Sequence, residues 1–152
     1  QASELRIRQI VQDILDGDFN DHTGLIYGIG HAVYTLSDPR SEILAKQCEE
    51  LSYEKFRHDE YEFYRKFSAI AIEEIYKRKG IHVCTNVDFY SGFVYEAMGL
   101  PTEVYTPLFA MSRITGWTAH RIEELNFASK RIIRPAYKNV GDKKPFVPLN
   151  KR

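Results

Sequence analysis

The chain has 152 residues, the length of a single domain, and its 21 basic and 21 acidic side chains leave no net charge. This balance gives no overall field toward nucleic acid or a membrane surface. With 43% hydrophobic residues, ten Tyr and nine Phe, the composition is typical of a folded protein and excludes a disordered one. Charge is uneven only near the end, where residues 129–152 contain eight basic residues and one acidic residue.

No feature of the sequence predicts secretion, membrane insertion or metal binding. The first residues lack a basic segment followed by an apolar one, and Cys48 and Cys84 stand alone, so we expect a cytoplasmic protein without disulfides. The least charged stretch, Val104 to Ala119, is interrupted by Arg113 and is shorter than the roughly 18 residues of a membrane span. The cysteines and histidines lack the short spacings of metal-ligand pairs, so no metal site is predicted.

Hydrophobic periodicity predicts helices from the first residues onward. The first helix ends at Gly17 and shows no capping residue before it. A second helix begins at Asp38-Pro39, where Asp is the N-cap and Pro the first helical residue. A third runs from about Glu60 to Lys79, and its charged residues are predicted to form a solvated face.

The second half continues the helical pattern and then changes character. Thr85 with Asp88 has the capping-box spacing, and Gly99 closes the helix that follows. A longer helix, predicted to be largely buried, runs from Thr106 through about Leu125. The tail after Ser129 contains three prolines and is expected to lie extended along a surface. The predicted fold class is all-α.

Several polar residues stand where their chemistry needs an explanation. Arg113 lies inside an apolar helix, so its guanidinium requires an anion, either an internal carboxylate or a ligand. Arg40 lies in a first helical turn, where the dipole disfavours a cation by about 0.3 to 1 kcal/mol, so it is either solvated or close to an anion. Gly28 to His31 form a glycine-spaced loop that fits close ligand approach or a turn beside a core histidine. Asp88 fits either capping or chemistry.

Five segments together resemble the citrate synthase family in order and spacing, over roughly residues 24–141. They are Tyr27 to Tyr34, Asp38-Pro39-Arg40, Asn86 to Gly92, Arg113 to Trp117 and Arg134-Pro135.

The resemblance implies an all-helical enzyme of two domains that works as a dimer, with its active site in the cleft between the domains. By this analogy residues 1–105 form a citrate synthase-like multihelical small domain. Residues 106–152 correspond to the C-terminal helix and extended tail of the large domain, most of which is missing. The Gly-Pro-Leu-His segment that supplies the family's other catalytic histidine does not occur, so the chain alone is expected to be catalytically incomplete.

The family condenses acetyl-CoA with oxaloacetate and water to give citrate and CoA, an acyl transfer of the tricarboxylic acid cycle. The resemblance assigns Asp88 as the base that removes a proton from the acetyl methyl group. It assigns His31 to hydrogen-bond the oxaloacetate carbonyl. Arg40, Arg113 and Arg134 match the arginines that bind the two carboxylates, and the last of these reaches the neighbouring subunit's site in the family.

Further implications concern CoA, cofactors and assembly. The loop residues matching the family's CoA-binding segment, whose main chain lies against the adenine, are Leu25, Ile26, Gly28, Ile29 and Gly30. No cofactor is implied, because the CoA thioester is a substrate. The expected partners are oxaloacetate, acetyl-CoA and further copies of the chain in a homodimer or higher homo-oligomer, without nucleic acid or membrane.

Two alternatives stay open at this stage. The same motifs occur in 2-methylcitrate synthases, which use propionyl-CoA, and one extra methylene changes discrimination by only about 1 to 3 kcal/mol. A non-catalytic helical module that binds CoA or a dicarboxylate is the alternative of another class, motivated by the missing histidine.

Overall fold

The computed structural model describes residues 3–128, 141–142 and 144–151. This part of the chain contains helices and one isolated antiparallel bridge between Ile29 and Thr85, without a named strand, which confirms the all-α class. The α-helices are α1 (Glu4–Asp16), α2 (Pro39–Glu54), α3 (His58–Lys79), α4 (Val87–Ala97), α5 (Tyr105–Met111) and α6 (Ile114–Leu125).

The chain divides into two compact units, residues 1–111 and residues 112–152. The first unit contains α1 to α5 and the second contains α6. The boundary expected after Tyr105 is the one between the small and large domains of the family that the sequence resembles. Contacts within this chain do not test that boundary, so it stays a prediction.

Two of the predicted helix ends are confirmed, and one prediction about α1 is wrong. Asp38 caps α2, since its carboxylate accepts a hydrogen bond from the Arg40 amide. Gly80 ends α3 with a φ of +64°, a conformation that glycine adopts without steric cost. The first helix does have a cap, because the Ser3 hydroxyl accepts from the Arg6 amide at 3.3 Å.

The cap of α4 is Asn86, not Thr85, so the predicted capping box is wrong. The Asn86 side-chain oxygen accepts from the Asp88 amide at 2.9 Å. Thr85 is used differently, because its hydroxyl lies 2.8 Å from the hydroxyl of Ser41 on α2. The Thr85 side chain therefore makes a tertiary hydrogen bond instead of capping the helix as the local sequence pattern predicts.

The long helix predicted from Thr106 to Leu125 is two helices, α5 and α6, separated by Ser112 and Arg113. It is also not buried: Trp117 is 58% exposed, and Met111 and Ile114 are exposed as well. An apolar stripe indicates which face of a helix would be buried against a partner surface. It does not show that such a surface is present, and in this chain those residues of α5 and α6 are exposed.

Two hydrophobic clusters hold the first unit together. One joins α1 to α3, and residues of the loop before α2 complete it. The other lies among α2, α3 and α4, where Phe93 is 1% exposed and Tyr61 packs edge-on against it. The buried members are Ile7, Val11, Ile26, Ile70, Ala71 and Ile75 in the first cluster and Cys48, Tyr61, Tyr90 and Phe93 in the second.

One acidic residue of α3 contradicts the prediction of a wholly solvated charged face. Glu74 is 4% exposed and pairs with Arg8 and Gln12 of α1 and with Lys77 of its own helix. These hydrogen bonds, with Gln12 the largest contributor, lower the pKa of Glu74 to about 2. A charged residue on the contact face thus joins α1 to α3 beside their apolar cluster.

Candidate active site

The glycine loop before His31 is fixed to the start of α4 by main-chain hydrogen bonds. The Gly30 amide donates to the Cys84 carbonyl at 2.8 Å, and the Asn86 amide donates to the Gly28 carbonyl at 2.8 Å. The Asn86 side-chain amide also donates to the Gly30 carbonyl at 2.9 Å. The same asparagine therefore caps α4 and holds the loop, which brings the segments carrying His31 and Asp88 to one end of the first unit.

Gly28 is a position that only glycine fits. Its φ is +84°, and a Cβ there would lie 2.9 Å from the Cα of Phe89 in the first turn of α4. This close approach explains the glycine without reference to a ligand.

The imidazole of His31 has a defined tautomer. Its Nδ1 accepts hydrogen bonds from the amides of Val33 at 3.0 Å and Tyr34 at 3.1 Å. A neutral ring that accepts at Nδ1 carries its proton at Nε2, so the outer nitrogen is a donor. The ring is exposed, which rules out a core histidine.

Arg40 lies beside this donor and is held by a buried carboxylate. Its Nε donates to Asp38 Oδ1 at 3.0 Å and its Nη2 to Oδ2 at 2.7 Å, and the Asp38 side chain is 0% exposed. This hydrogen bonding lowers the pKa of Asp38 and raises the pKa of Arg40. The anion near Arg40 is thus an internal carboxylate, and the guanidinium also stays partly solvated, since the Arg40 side chain is 40% exposed. The Tyr34 ring supports the guanidinium at 5.5 Å.

Arg40 Nη2 and His31 Nε2 are 3.3 Å apart. Because Nε2 carries the proton, both groups are donors and neither satisfies the other. One oxygen atom, or two adjacent oxygens, of a ligand would accept from both. This arrangement is suited to a carbonyl next to a carboxylate.

Asp88 occupies the exposed first turn of α4. After the larger effects of Asp38 and a contribution from Tyr34, the negative charge of Asp88 also raises the pKa of Arg40, so this carboxylate lies close enough to act on the guanidinium. The structure therefore brings His31, Arg40 and Asp88 to one region of the first unit.

The other predicted site residues have separate positions. In the segment that the resemblance assigns to CoA binding, Leu25 is exposed and Ile26 is buried in the α1–α3 cluster. Gly28, Ile29 and Gly30 of the same segment are half-buried. Since the expected CoA contacts are main-chain contacts, these side-chain positions leave that prediction open.

The two remaining predicted arginines are Arg113 and Arg134. Arg113 precedes α6, is half-buried, and donates from Nη1 to the Ser112 hydroxyl at 2.5 Å. Arg134 lies outside the described residues.

Sequence reasoning missed two supporting residues. The sequence pattern assigns Asp38 only the role of a helix cap and assigns no separate role to Tyr34. The two-residue spacing of Asp38 and Arg40 is a usable signal, because a capping carboxylate faces the first helical turn and an arginine there is within reach.

Among the residues that the structure describes, no group of three or more His, Cys, Asp or Glu side chains could hold a metal ion. Within the same residues, no helix combines the length and apolar character needed to cross a bilayer.

Comparison with known proteins identifies the family of this chain. The family model for the citrate synthase C-terminal domain matches residues 1–136. The chain belongs to the citrate synthase family.

Individual relatives agree with this assignment. The citrate synthase of Synechocystis sp. is 41% identical over 128 residues, covering 84% of this chain and 31% of that protein. The 2-methylcitrate synthase of Shewanella oneidensis is 35% identical over 142 residues, covering 93% of this chain and 36% of that protein. The crystal structure of citrate synthase from Thermotoga maritima matches with a TM-score of 0.62 at 32% identity, covering 99% of this chain and 38% of that one. The chain spans about a third of the length of the curated relatives it matches.

Proposed function

We propose that this chain supplies the oxaloacetate-binding and proton-abstracting part of an enzyme that condenses acetyl-CoA with oxaloacetate and water to give citrate and CoA. The observation that carries the proposal is the pair of donors at His31 Nε2 and Arg40 Nη2, 3.3 Å apart. Oxaloacetate has a keto oxygen next to a carboxylate, so it offers adjacent acceptors to both groups.

The proposed chemistry uses two side chains in sequence, Asp88 and His31. The carboxylate of Asp88 takes a proton from the methyl group of acetyl-CoA, leaving an enol or enolate. Its carbon attacks the keto carbon of oxaloacetate and forms the new carbon–carbon bond. The His31 Nε2–H stabilises the charge that develops on the keto oxygen, which becomes the citrate hydroxyl on protonation. Water then cleaves the thioester and releases CoA as the thiol.

The remaining assignments concern binding and assembly. Arg113 and Arg134 complete the binding of the two carboxylates, and Arg134 acts in the site of a neighbouring subunit of a homodimer or higher homo-oligomer. The protein works in the cytoplasm, within the tricarboxylic acid cycle. Support for a reducing compartment comes from Cys48 and Cys84, which are both free and buried.

The second candidate is a 2-methylcitrate synthase, which would use propionyl-CoA. Its support is the 35% sequence identity to the Shewanella oneidensis enzyme, which is close to the 41% identity to the Synechocystis citrate synthase. The reacting groups are the same in both candidates, so the choice depends on the space around the acyl chain.

The test uses the protein encoded by the intact gene, because the family's other catalytic histidine is not in this sequence. Free thiol is measured from acetyl-CoA and from propionyl-CoA, with and without oxaloacetate. We expect release that requires oxaloacetate and falls by about 10² to 10⁴-fold in Asp88→Asn. Asp59→Asn is the matched control, since it removes another carboxylate from a first helical turn.

Two results would contradict the proposal. Undiminished thiol release in Asp88→Asn would exclude Asp88 as the base. If a folded protein binds oxaloacetate but releases no thiol from either thioester, the result would support the non-catalytic binding module.

A further inference from the structure

A pocket of about 340 Å³ lies beside Asp88 within the first unit. One wall is a face of α4, where Asp88, Gly92 and Tyr95 follow each other at helical spacing. Other lining residues come from α5 and include Tyr105 and Phe109. The pocket therefore has one carboxylate, two small hydroxyl residues (Ser91 and Thr106), a glycine and three aromatic rings in its lining.

The aromatic wall defines what the pocket is able to hold. The rings of Tyr95 and Tyr105 contact each other, with centroids 4.9 Å apart at 57°. Such a surface favours a short apolar group over a charged one. If Asp88 removes the proton from the carbon next to the thioester, that carbon must lie within hydrogen-bonding reach of the carboxylate. The rest of the acyl chain then occupies the space immediately beside Asp88.

We infer that this pocket holds the acyl chain of the CoA thioester, and that Gly92 sets the chain length the enzyme accepts. The inference rests on the proposed function and adds a specificity-determining residue to it. Gly92 lines the pocket one helical turn after Asp88, so it lies where the carbon beyond the α-carbon would extend.

The backbone at Gly92 needs no glycine. A Cβ built there meets no atom within 4 Å, and the residue lies inside α4 without a positive φ. Alanine is therefore tolerated sterically and favours the helix. The missing side chain leaves pocket space for a methylene beyond acetyl, so the unchanged protein accepts propionyl-CoA as well as acetyl-CoA.

The experiment compares kcat/KM for acetyl-CoA and propionyl-CoA in the intact protein and in Gly92→Ala. We expect the ratio of propionyl-CoA to acetyl-CoA to fall by about tenfold or more in Gly92→Ala, because the added methyl group occupies the space of the extra methylene. Gly116→Ala is the control, since Gly116 is the other helical glycine whose Cβ position is open and it does not line this pocket. Its acyl ratio should stay unchanged.

The outcomes separate this inference from the proposed function. An unchanged ratio in Gly92→Ala, with thiol release intact, overturns the acyl pocket and leaves the condensing enzyme. A ratio that falls equally in Gly116→Ala also overturns it. No oxaloacetate-dependent thiol release by the unchanged protein overturns both. Thermal unfolding of the variants, expected at or slightly above that of the unchanged protein, shows that any loss comes from the pocket.

Discussion

The carboxylate of Asp38 fixes the guanidinium of Arg40 through two side-chain hydrogen bonds, 3.0 Å at Nε and 2.7 Å at Nη2, while also capping α2. An arginine held in this way presents its outer edge to a ligand with little remaining freedom. Asp38 is therefore a positioning residue for Arg40 and needs no contact with the substrate.

Asp38→Asn tests this positioning role. Asparagine preserves the helix cap but loses the charge and one of the two acceptors for the guanidinium. We expect the KM for oxaloacetate to rise about tenfold or more, with a smaller change in kcat, measured by steady-state kinetics of the intact protein. The control is Asp16→Asn, which breaks another two-bonded pair, with Arg78, away from the site. A change confined to kcat, or an equal rise of KM in the control, would contradict positioning.

Gly28→Ala should destabilise the protein more than Gly80→Ala does. Both positions have positive φ, which costs an alanine about 1 to 2 kcal/mol. Only at Gly28 does the new Cβ also collide with backbone, at 2.9 Å from the Phe89 Cα, whereas nothing lies within 4 Å at Gly80. Denaturant unfolding should show an additional loss of about 1 to 3 kcal/mol for Gly28→Ala. Equal losses of unfolding free energy in the two variants would show that the loop can move away from α4 at little energetic cost.

The buried carboxylate of Glu74, which pairs with Arg8 of α1, predicts an acid-sensitive contact between α1 and α3. The pKa of Glu74 is lowered from 4.5 to about 2, so the folded state favours the ionised form. Its contribution is complete above about pH 4.5 and is lost as the pH falls toward 2. Glu74→Gln is expected to lower the free energy of unfolding by about 2 kcal/mol at pH 7, because Arg8 and Lys77 are partly exposed and solvent screens their charges. The variant should also lose less stability than the unchanged protein as the pH falls below about 4.5.

Glu62→Gln is the control for this prediction. It removes an ion pair with Arg65 on the same helix, in a more exposed position. Its effect should stay within about 1 kcal/mol. An unfolding profile of Glu74→Gln that keeps the full acid sensitivity would show that other carboxylates are responsible.

The thiol of Cys48 should resist alkylation in the folded protein. The side chain is fully buried in the α2–α3–α4 cluster, and burial raises its pKa to about 11. At pH 8 the thiolate fraction is then about a hundredfold below that of an exposed cysteine, and access is blocked as well. Iodoacetamide labelling followed by peptide mass spectrometry should find Cys48 modified at least a hundredfold more slowly than in urea. Labelling at the same rate in both conditions would contradict its position in the core.

Local signals predicted the helices and several of their ends. Asp38 and Pro39 started α2 as predicted, and Gly80 ended α3, because caps and left-handed glycines depend on a few neighbouring residues. The pattern failed at Thr85, where a hydrogen bond to Ser41 of another helix outweighed the local preference. It failed again at the Ser112–Arg113 break between α5 and α6.

The sequence by itself determined the helical class, the family resemblance and the identities of His31, Arg40 and Asp88 as candidates, since these depend on residue types and spacing along one chain. Only the tertiary structure decided that Glu74 is buried, that Asp38 holds Arg40, and that His31 carries its proton at Nε2. These properties arise from burial and hydrogen-bond direction, which become fixed when the folded backbone sets the positions of donors, acceptors and packed surfaces.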